Sequence, residues 1–265
     1  MDRQKLILSL SETQEDQILL ARVWDRISAG FQRSIPSATS FLSGREQLLA
    51  EQLCRQGKLP EPVFFGGYAA AERRVAIYLP DYLEPEEYLS GEESPVAALR
   101  VTWSDYDSLS HRDFLGSLMG QGIKREILGD LLPGEGVCDV LVLRDMADYL
   151  FRELTHVGRA KVRTERIALN DLQVPEQRVK TVRDTVASLR LDSILASGFG
   201  QGRSKAAALV HAARVELNHK TVLKPDAPVS EGDVISARGL GKLRVKQVKG
   251  QTKKGRVAVE LERYL

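Results

Sequence analysis

The chain has 265 residues, with 43% hydrophobic and 28% charged content, which is typical of a soluble globular protein of one or two domains. No apolar run approaches the roughly eighteen residues needed to cross a bilayer, and the N-terminus lacks the apolar stretch of a secretory signal. The net charge of +2 hides an asymmetry, because residues 180–265 carry 17 Lys and Arg against 8 Asp and Glu, a net +9, and the preceding residues sum to −7. A basic tail favours a polyanionic partner; a solvated face or a contact with anionic lipid would explain the charge as well. We expect no membrane insertion, and a location in the cytoplasm, or in the plastid stroma if the source is a plant.

Residues 1–60 have the pattern of a helical N-terminal region. Apolar positions recur at helical spacing from Asp16 to Trp24. A second helix is predicted after Ser43, an N-cap with Glu46 three residues later, and Gly57 and Pro60 end it.

Residues 61–168 change to shorter, strand-like periods. The predicted elements are strands at 63–65 and 75–79, a strand at 98–103, a helix around 114–119, a hairpin of 125–132 and 137–143, a helix at 145–154 and a strand at 160–167. From Ala98 onward the order is β-α-β-β-α-β, the ferredoxin-like arrangement that many RNA-recognition domains share. The aromatic signature of those domains is absent from 137–143, so the topology alone does not predict a second RNA site.

Residues 169–184 form a polar stretch that predicts a connector. Within 185–265 we predict two short helices, 189–196 and 204–213, followed by short strands at 215–217, 221–223, 233–236, 243–245 and 257–261. The predicted fold class is therefore α+β throughout.

The start of the second tail helix is the strongest candidate for binding chemistry. Arg203 and Lys205 lie where a helix presents free N–H groups and a partial positive charge, so a phosphate is favoured there twice over. Arg214 and Lys220 extend the same cationic surface. The alternative is that Arg203 and Lys205 are simply solvated.

The segment 185–237 closely resembles the S4 RNA-binding domain, also called the alpha-L motif, in the order of its elements. That family binds structured ribosomal or transfer RNA through the second helix and the adjoining hairpin. The resemblance implies RNA-binding roles for six residues: Arg203, Ser204, Lys205, Arg214, Asn218 and Lys220. Asp192 matches a family position of structural character. Two positions depart from the family: Gly202 replaces a capping Ser, and Asn218-His219 replaces the usual Asn-Gly turn.

The resemblance widens to the YlmH family, which pairs an RNA-recognition-like central domain with a C-terminal S4 domain. It rests on segments 110–120, 122–125, 154–160 and 251–256, and the last of these adds Lys253 and Lys254 as RNA-binding candidates. The family implies binding to the large ribosomal subunit and its transfer RNA, with a role in rescuing stalled nascent chains. Some members are instead linked to cell division or to photosystem II biogenesis.

A second basic patch is predicted around the central domain from Arg112, Lys124, Arg125 and Arg159. Ordinary surface charge that balances the acidic front of the chain explains these residues equally well. Cys54 and Cys138 lie far apart and fit no metal-ligand spacing, so we expect buried free thiols, no metal and no cofactor.

The sequence therefore predicts a non-catalytic, monomeric RNA-binding protein of translation or ribosome quality control. One alternative is an RNA-modifying enzyme, because S4 domains occur on pseudouridine synthases, methyltransferases and tyrosyl-transfer-RNA synthetases. Residues 1–188 show no catalytic motif of those classes. The other alternative is a scaffold whose central domain binds protein while the tail anchors it to RNA.

Overall fold

The computed structural model describes residues 2–176, 178–252 and 255–264, which form two compact units divided after Pro175. We call residues up to 175 unit 1 and the following residues unit 2. Both units combine helices with antiparallel sheets, which confirms the predicted α+β fold class. In the part of the chain that the structure describes, no helix is both long and apolar enough to span a membrane.

The first part of unit 1 packs three helices on a small antiparallel sheet. Its elements are α1 (Arg3–Leu10), α2 (Gln14–Arg33), β1 (Ser37–Leu42), α3 (Gly44–Gly57), β2 (Val63–Phe65) and β3 (Arg74–Tyr78). A capping box at Thr13 starts α2, and the predicted one at Ser43 starts α3. The strand order is β1-β3-β2, so this sheet crosses the boundary that we predicted at residue 60. Local patterns indicate strands but not their long-range partners, and the mixed polar strand β1 gave too weak a signal to be predicted.

The second part of unit 1 has the predicted β-α-β-β-α-β order. Its elements are α4 (Pro85–Ser90), β4 (Val96–Trp103), α5 (His111–Gly120), β5 (Leu128–Pro133), β6 (Val137–Leu143), α6 (Arg144–Glu153), β7 (His156–Val157) and β8 (Ala160–Ile167). The strands lie in the order β5-β6-β4-β8-β7, and α5 and α6 cover one face with a core that includes Phe114, Leu118 and Leu150. This is the ferredoxin-like sheet with one short strand added at its edge.

The opposite face of that sheet is covered by the first part of unit 1. Val96 and Ala98 of β4 and Leu141 of β6 pack against Phe41 of β1 and Val75 of β3 in one buried cluster. Side chains alternate between the two faces of a strand, so these residues point away from α5 and α6. The two sheets of unit 1 are therefore joined by a shared apolar layer.

Unit 2 packs two helices on a six-stranded sheet. Its elements are β9 (Val179–Val186), α7 (Leu191–Phe199), α8 (Arg203–His211), β10 (Val215–Leu217), β11 (Lys220–Thr221), β12 (Val234–Ala237), β13 (Gly241–Gln251) and β14 (Val257–Tyr264). The strand order is β11-β10-β12-β13-β14-β9. β9 occupies part of the predicted connector 169–184; as an edge strand with mostly exposed polar side chains, it resembles a solvated linker in sequence.

Candidate RNA-binding interface

The start of α8 lies directly after a tight turn from α7, at the position that the sequence predicts. Gly200 ends α7 with a left-handed φ of 64°, and α8 begins at Arg203. Gly202, the residue before α8, contributes no side-chain cap, and the N–H of Ala206 is the donor to the Gly202 carbonyl (3.0 Å). The N–H groups ahead of Ala206 have no intrahelical acceptor, so this helix end is open to an anion.

The cationic side chains at this helix start differ in their freedom. Lys205 and Ser204 are exposed, and Lys205 has no side-chain partner within residues 2–176, 178–252 and 255–264. Arg203 is 56% exposed, and its Nη2 contacts Oδ2 of Asp192 at 3.3 Å. Lys205 is therefore free to meet a phosphate, whereas Arg203 is partly anchored.

Asp192 holds two arginines beside the start of α8. Its carboxylate, 8% exposed, accepts from Nε and Nη2 of Arg190 at 3.2 Å each, in addition to the contact with Arg203. Burial by itself would raise the pKa of Asp192, but hydrogen bonds and charge from Arg190 and Arg203 outweigh it and lower that pKa. Two guanidinium groups share one carboxylate, so the cluster keeps a net positive charge at neutral pH. Arg190 was not predicted as a site residue, because only the packing of α7 against α8 brings it beside Arg203.

A second cationic group lies beyond the other end of α8, a helix of nine residues and therefore about 13 Å long. Arg214 Nη2 donates to the carbonyl of Arg238 (3.0 Å), and the N–H of Arg238 donates to the carbonyl of Arg214 (2.9 Å). Lys220 is exposed on β11, where it pairs with Leu217 at the far end of β10 from Arg214, so the register does not bring it beside this pair. Arg238 was missed because its position depends on the antiparallel pairing of Val215 with Ala237, which the local pattern does not show.

The Asn218-His219 turn closes tightly although it lacks the glycine of the family pattern. Asn218 and His219 have φ values of 49° and 64°, the left-handed pair that a two-residue hairpin turn requires. The Asn218 Nδ2 donates to Oδ1 of Asp233 (2.8 Å), and its Oδ1 accepts from the N–H of Val234 (2.9 Å). Both amide atoms are engaged within the domain, so the structure favours a turn-forming role for Asn218 over a contact with RNA. Lys253 and Lys254 lie outside the described residues.

Two family models match the chain over the regions just described. Residues 96–171 match the model described as "Putative RNA-binding domain in YlmH", and residues 189–235 match the S4 domain. The "Ribosome-associated protein quality control protein P2" of Bacillus subtilis (strain 168) is 39% identical over 226 residues, which are 85% of this chain and 86% of that protein. The chain belongs to the YlmH family. A solved structure, "Cell division protein ylmH from Streptococcus pneumoniae", is 21% identical with a TM-score of 0.50 over 62% of this chain and 98% of its own, which shows a shared fold.

In this YlmH-family chain, the sheet face that RNA-recognition domains use for stacking bases is closed. Arg100 of β4 and Asp139 of β6 form a bidentate ion pair on that face, with Nε–Oδ1 and Nη2–Oδ2 distances of 2.8 Å. The segment after β8 covers the pair, since Arg100 also donates to the carbonyl of Asp171 (2.7 Å) and Asp139 accepts from the N–H of Gln173 (2.7 Å). Together with the apolar layer over Val96 and Ala98, this leaves the centre of the sheet without a surface for bases.

The four residues of the predicted second basic patch differ in their exposure. Arg112, Lys124 and Arg159 are exposed on α5, on the turn before β5 and on the β7–β8 turn. Arg125 is half-buried, and its Nη1 donates to the carbonyls of Leu128 (2.8 Å) and Gly129 (3.0 Å). Burial and the neighbouring Arg73 lower the pKa of Arg125 to about 10, so it stays charged at neutral pH. The guanidinium of Arg125 thus binds the backbone of its own turn, whereas the other three residues are exposed, and the second basic patch stays a prediction.

The cysteines have no features of a reactive or metal-binding site. Cys54 and Cys138 are free and buried, as predicted. Burial raises the pKa of Cys54 to about 11 and that of Cys138 to about 12, with the charge of Asp139 contributing to the second shift. Within residues 2–176, 178–252 and 255–264, no group of three His, Cys, Asp or Glu side chains is arranged to hold a metal ion.

Proposed function

We propose that this protein is a non-catalytic RNA-binding protein of the ribosome, which holds structured RNA at the start of α8. The observation that carries the proposal is the uncapped N-terminus of α8 with the exposed cations Lys205 and Arg203. Backbone N–H groups, the helix dipole and the side-chain charges favour an anion at the same place. The phosphate backbone of RNA has the charge and spacing to occupy this end and the Arg214–Arg238 group together.

The proposed association with the ribosome is based on a relative from Bacillus subtilis. The Bacillus subtilis protein is described as ribosome-associated and as a quality control protein, and it aligns with 85% of this chain. We propose large-subunit ribosomal RNA and transfer RNA as the RNA partners, a role in translation quality control, and a monomer located where ribosomes are, in the cytoplasm or the plastid stroma.

Lys205→Ala tests the proposed surface with the least risk to the fold, because Lys205 has no partner in the described part of the chain. We expect affinity for large-subunit ribosomal RNA to fall about fivefold, corresponding to about 1 kcal/mol for one charged contact. The slope of log affinity against log salt should fall by about 0.7–0.9 for one lost phosphate contact. Lys180→Ala on β9, at the opposite edge of the unit 2 sheet from β11, removes the same charge and should change neither value.

Two results would contradict the proposed RNA-binding site and its ribosomal role. One is a Lys205→Ala protein with the wild-type affinity and salt slope, which would show that RNA does not bind at the start of α8. The other comes from crosslinking in lysate followed by RNA sequencing. Recovery of messenger RNA alone, without large-subunit ribosomal RNA or transfer RNA, would contradict a role on the ribosome. A change of nucleoside composition in bulk RNA incubated with the protein and S-adenosylmethionine would replace the non-catalytic assignment with a modifying enzyme.

A further inference from the structure

A groove of about 660 Å³ runs along α2 in unit 1. One wall is α2 together with β1, and the other comes from the central domain, at Glu126, Ile127 and residues 143–145. None of these residues belongs to the S4 domain or to the predicted second basic patch.

Three arginines of α2 line this groove in a row. Arg22, Arg26 and Arg33 stand at intervals of four and seven residues, which places them on one helix face, and all three are exposed. Arg26 and Arg33 have no side-chain partner in the described ranges 2–176, 178–252 and 255–264. Arg22 has one weak partner, Glu126, at 3.3 Å from its Nη1, and both side chains are well exposed. An exposed pair of this kind contributes little to stability, so Arg22 is readily released.

The opposite wall adds a fourth arginine. The Arg144 guanidinium donates to the carbonyls of Ser94 (2.6 Å), Val96 (3.1 Å) and Gly91 (3.4 Å). Carbonyl partners hold the group in place but leave its charge uncompensated. Arg144 is also the first residue of α6, whose N-terminus has no side-chain cap. The helix end and the arginine therefore both add positive potential to the groove.

The charge of the groove is opposite to that of the chain around it. Glu126 and Asp145 are the acidic residues among the lining residues that the structure describes, against four arginines. The first 179 residues nevertheless carry a net charge of −7. A polyanion is repelled by most of this acidic region and attracted to one concave, positive site.

We propose that this groove binds the sugar-phosphate backbone of RNA, as a second contact that rests on the proposed RNA-binding function of the S4 domain. The eleven steps from Arg22 to Arg33 along the helix span about 16 Å, a length over which a nucleic-acid strand presents several phosphates. A row of this length fits a polyanion rather than a single small anion. Guanidinium groups pair with phosphate oxygens through two parallel hydrogen bonds. The central sheet face is closed, and the groove wall at 126–127 and 143–145 belongs to the segment that matches the RNA-binding family model.

The test compares Arg26→Ala/Arg33→Ala with the wild-type full-length chain, using protein-free large-subunit ribosomal RNA as the probe. This RNA is long enough to reach both units at once. We expect about tenfold weaker binding and a salt slope smaller by about 1.4–1.8, for two lost phosphate contacts. The control Arg55→Ala/Arg152→Ala removes two exposed arginines elsewhere in unit 1 and should bind like wild type.

A second variant predicts the opposite change. Glu126→Gln removes a negative charge from the groove and releases Arg22, so it should strengthen binding two- to fivefold without loss of folding. Photocrosslinking of RNA that contains 4-thiouridine should then label peptides of α2, and more strongly in Glu126→Gln.

The outcomes separate this inference from the proposed function. Wild-type affinity of Arg26→Ala/Arg33→Ala, with weakened binding by Lys205→Ala, would overturn the groove and leave the S4 site standing. Absence of RNA binding by the wild-type chain would overturn the proposed function itself. If the double variant bound free RNA normally but lost affinity for intact large subunits, the groove would take an acidic ribosomal protein and the assignment to RNA would be wrong.

Discussion

Asp192→Asn tests how the start of α8 is organised. The substitution keeps the volume and a hydrogen-bond acceptor, but it removes the charge that holds Arg190 and Arg203 at 3.2 and 3.3 Å. Each arginine keeps a hydrogen bond to the neutral amide oxygen and loses the attraction between the two charges, about 0.5–1 kcal/mol per arginine for a partly exposed pair. The arginine side chains are 43% and 56% exposed and regain water when released. We therefore expect unit 2 to lose about 1–2 kcal/mol of unfolding free energy at pH 7.

The stability difference between wild type and Asp192→Asn should depend on pH with a defined sign. The folded state lowers the pKa of Asp192, so its ionisation stabilises the fold above the unfolded value of about 3.9. This contribution is lost as the pH falls through the folded pKa. The difference should be complete from pH 5 to 7 and should shrink below about pH 4.

Amide hydrogen exchange in urea, read by mass spectrometry on peptides of α7 and α8, measures unit 2 directly. Tryptophan fluorescence gives an internal control, since Trp24 and Trp103 are the only tryptophans of the chain and both belong to unit 1. Asp226→Asn, at an exposed carboxylate, is the matched substitution and should change neither signal. An Asp192→Asn protein with unchanged protection of α7, or with the same deficit at pH 3 as at pH 7, would refute the role assigned to the carboxylate.

Two further substitutions test the turn of the S4 domain and the closed sheet face. Asn218→Ala removes two hydrogen bonds and places alanine at a φ of 49°, so unit 2 should lose about 1–3 kcal/mol of unfolding free energy, measured by hydrogen exchange. Asn218→Gly should relieve the backbone strain but not replace the two hydrogen bonds. Equal losses in both variants would contradict the strain at this left-handed position. Arg100→Ala leaves the carboxylate of Asp139, 0% exposed, without its cationic partner, and unit 1 should lose about 3–5 kcal/mol in urea denaturation followed by tryptophan fluorescence. The apolar pair Arg100→Met/Asp139→Leu should restore much of that loss, and failure of the single variant to destabilise unit 1 would show that the pair is not buried in solution.

The candidate site illustrates which features local sequence patterns could predict. A helix start after a glycine-rich turn, with Arg203 and Lys205 in its first turn, depends on neighbouring residues only, and the structure confirms it. Arg190 and Arg238 were missed, because Arg190 comes beside Arg203 only when α7 packs against α8, and Arg238 meets Arg214 only through strand pairing. The guanidinium of Arg125 binds carbonyls only three and four residues away, but a charged residue in a polar turn shows no sign of this contact in the sequence.

The sequence by itself determined the α+β class, the order of elements in the central and C-terminal domains, and the concentration of positive charge after residue 180, because these depend on local periodicity and composition. Only the tertiary structure decided which surfaces remain open. Strands β1 and β3 close the face of the central sheet, and α2 brings its arginines opposite Arg144. Both results depend on contacts between residues that lie far apart in the chain, and the pattern within any one segment holds no information about its distant partners.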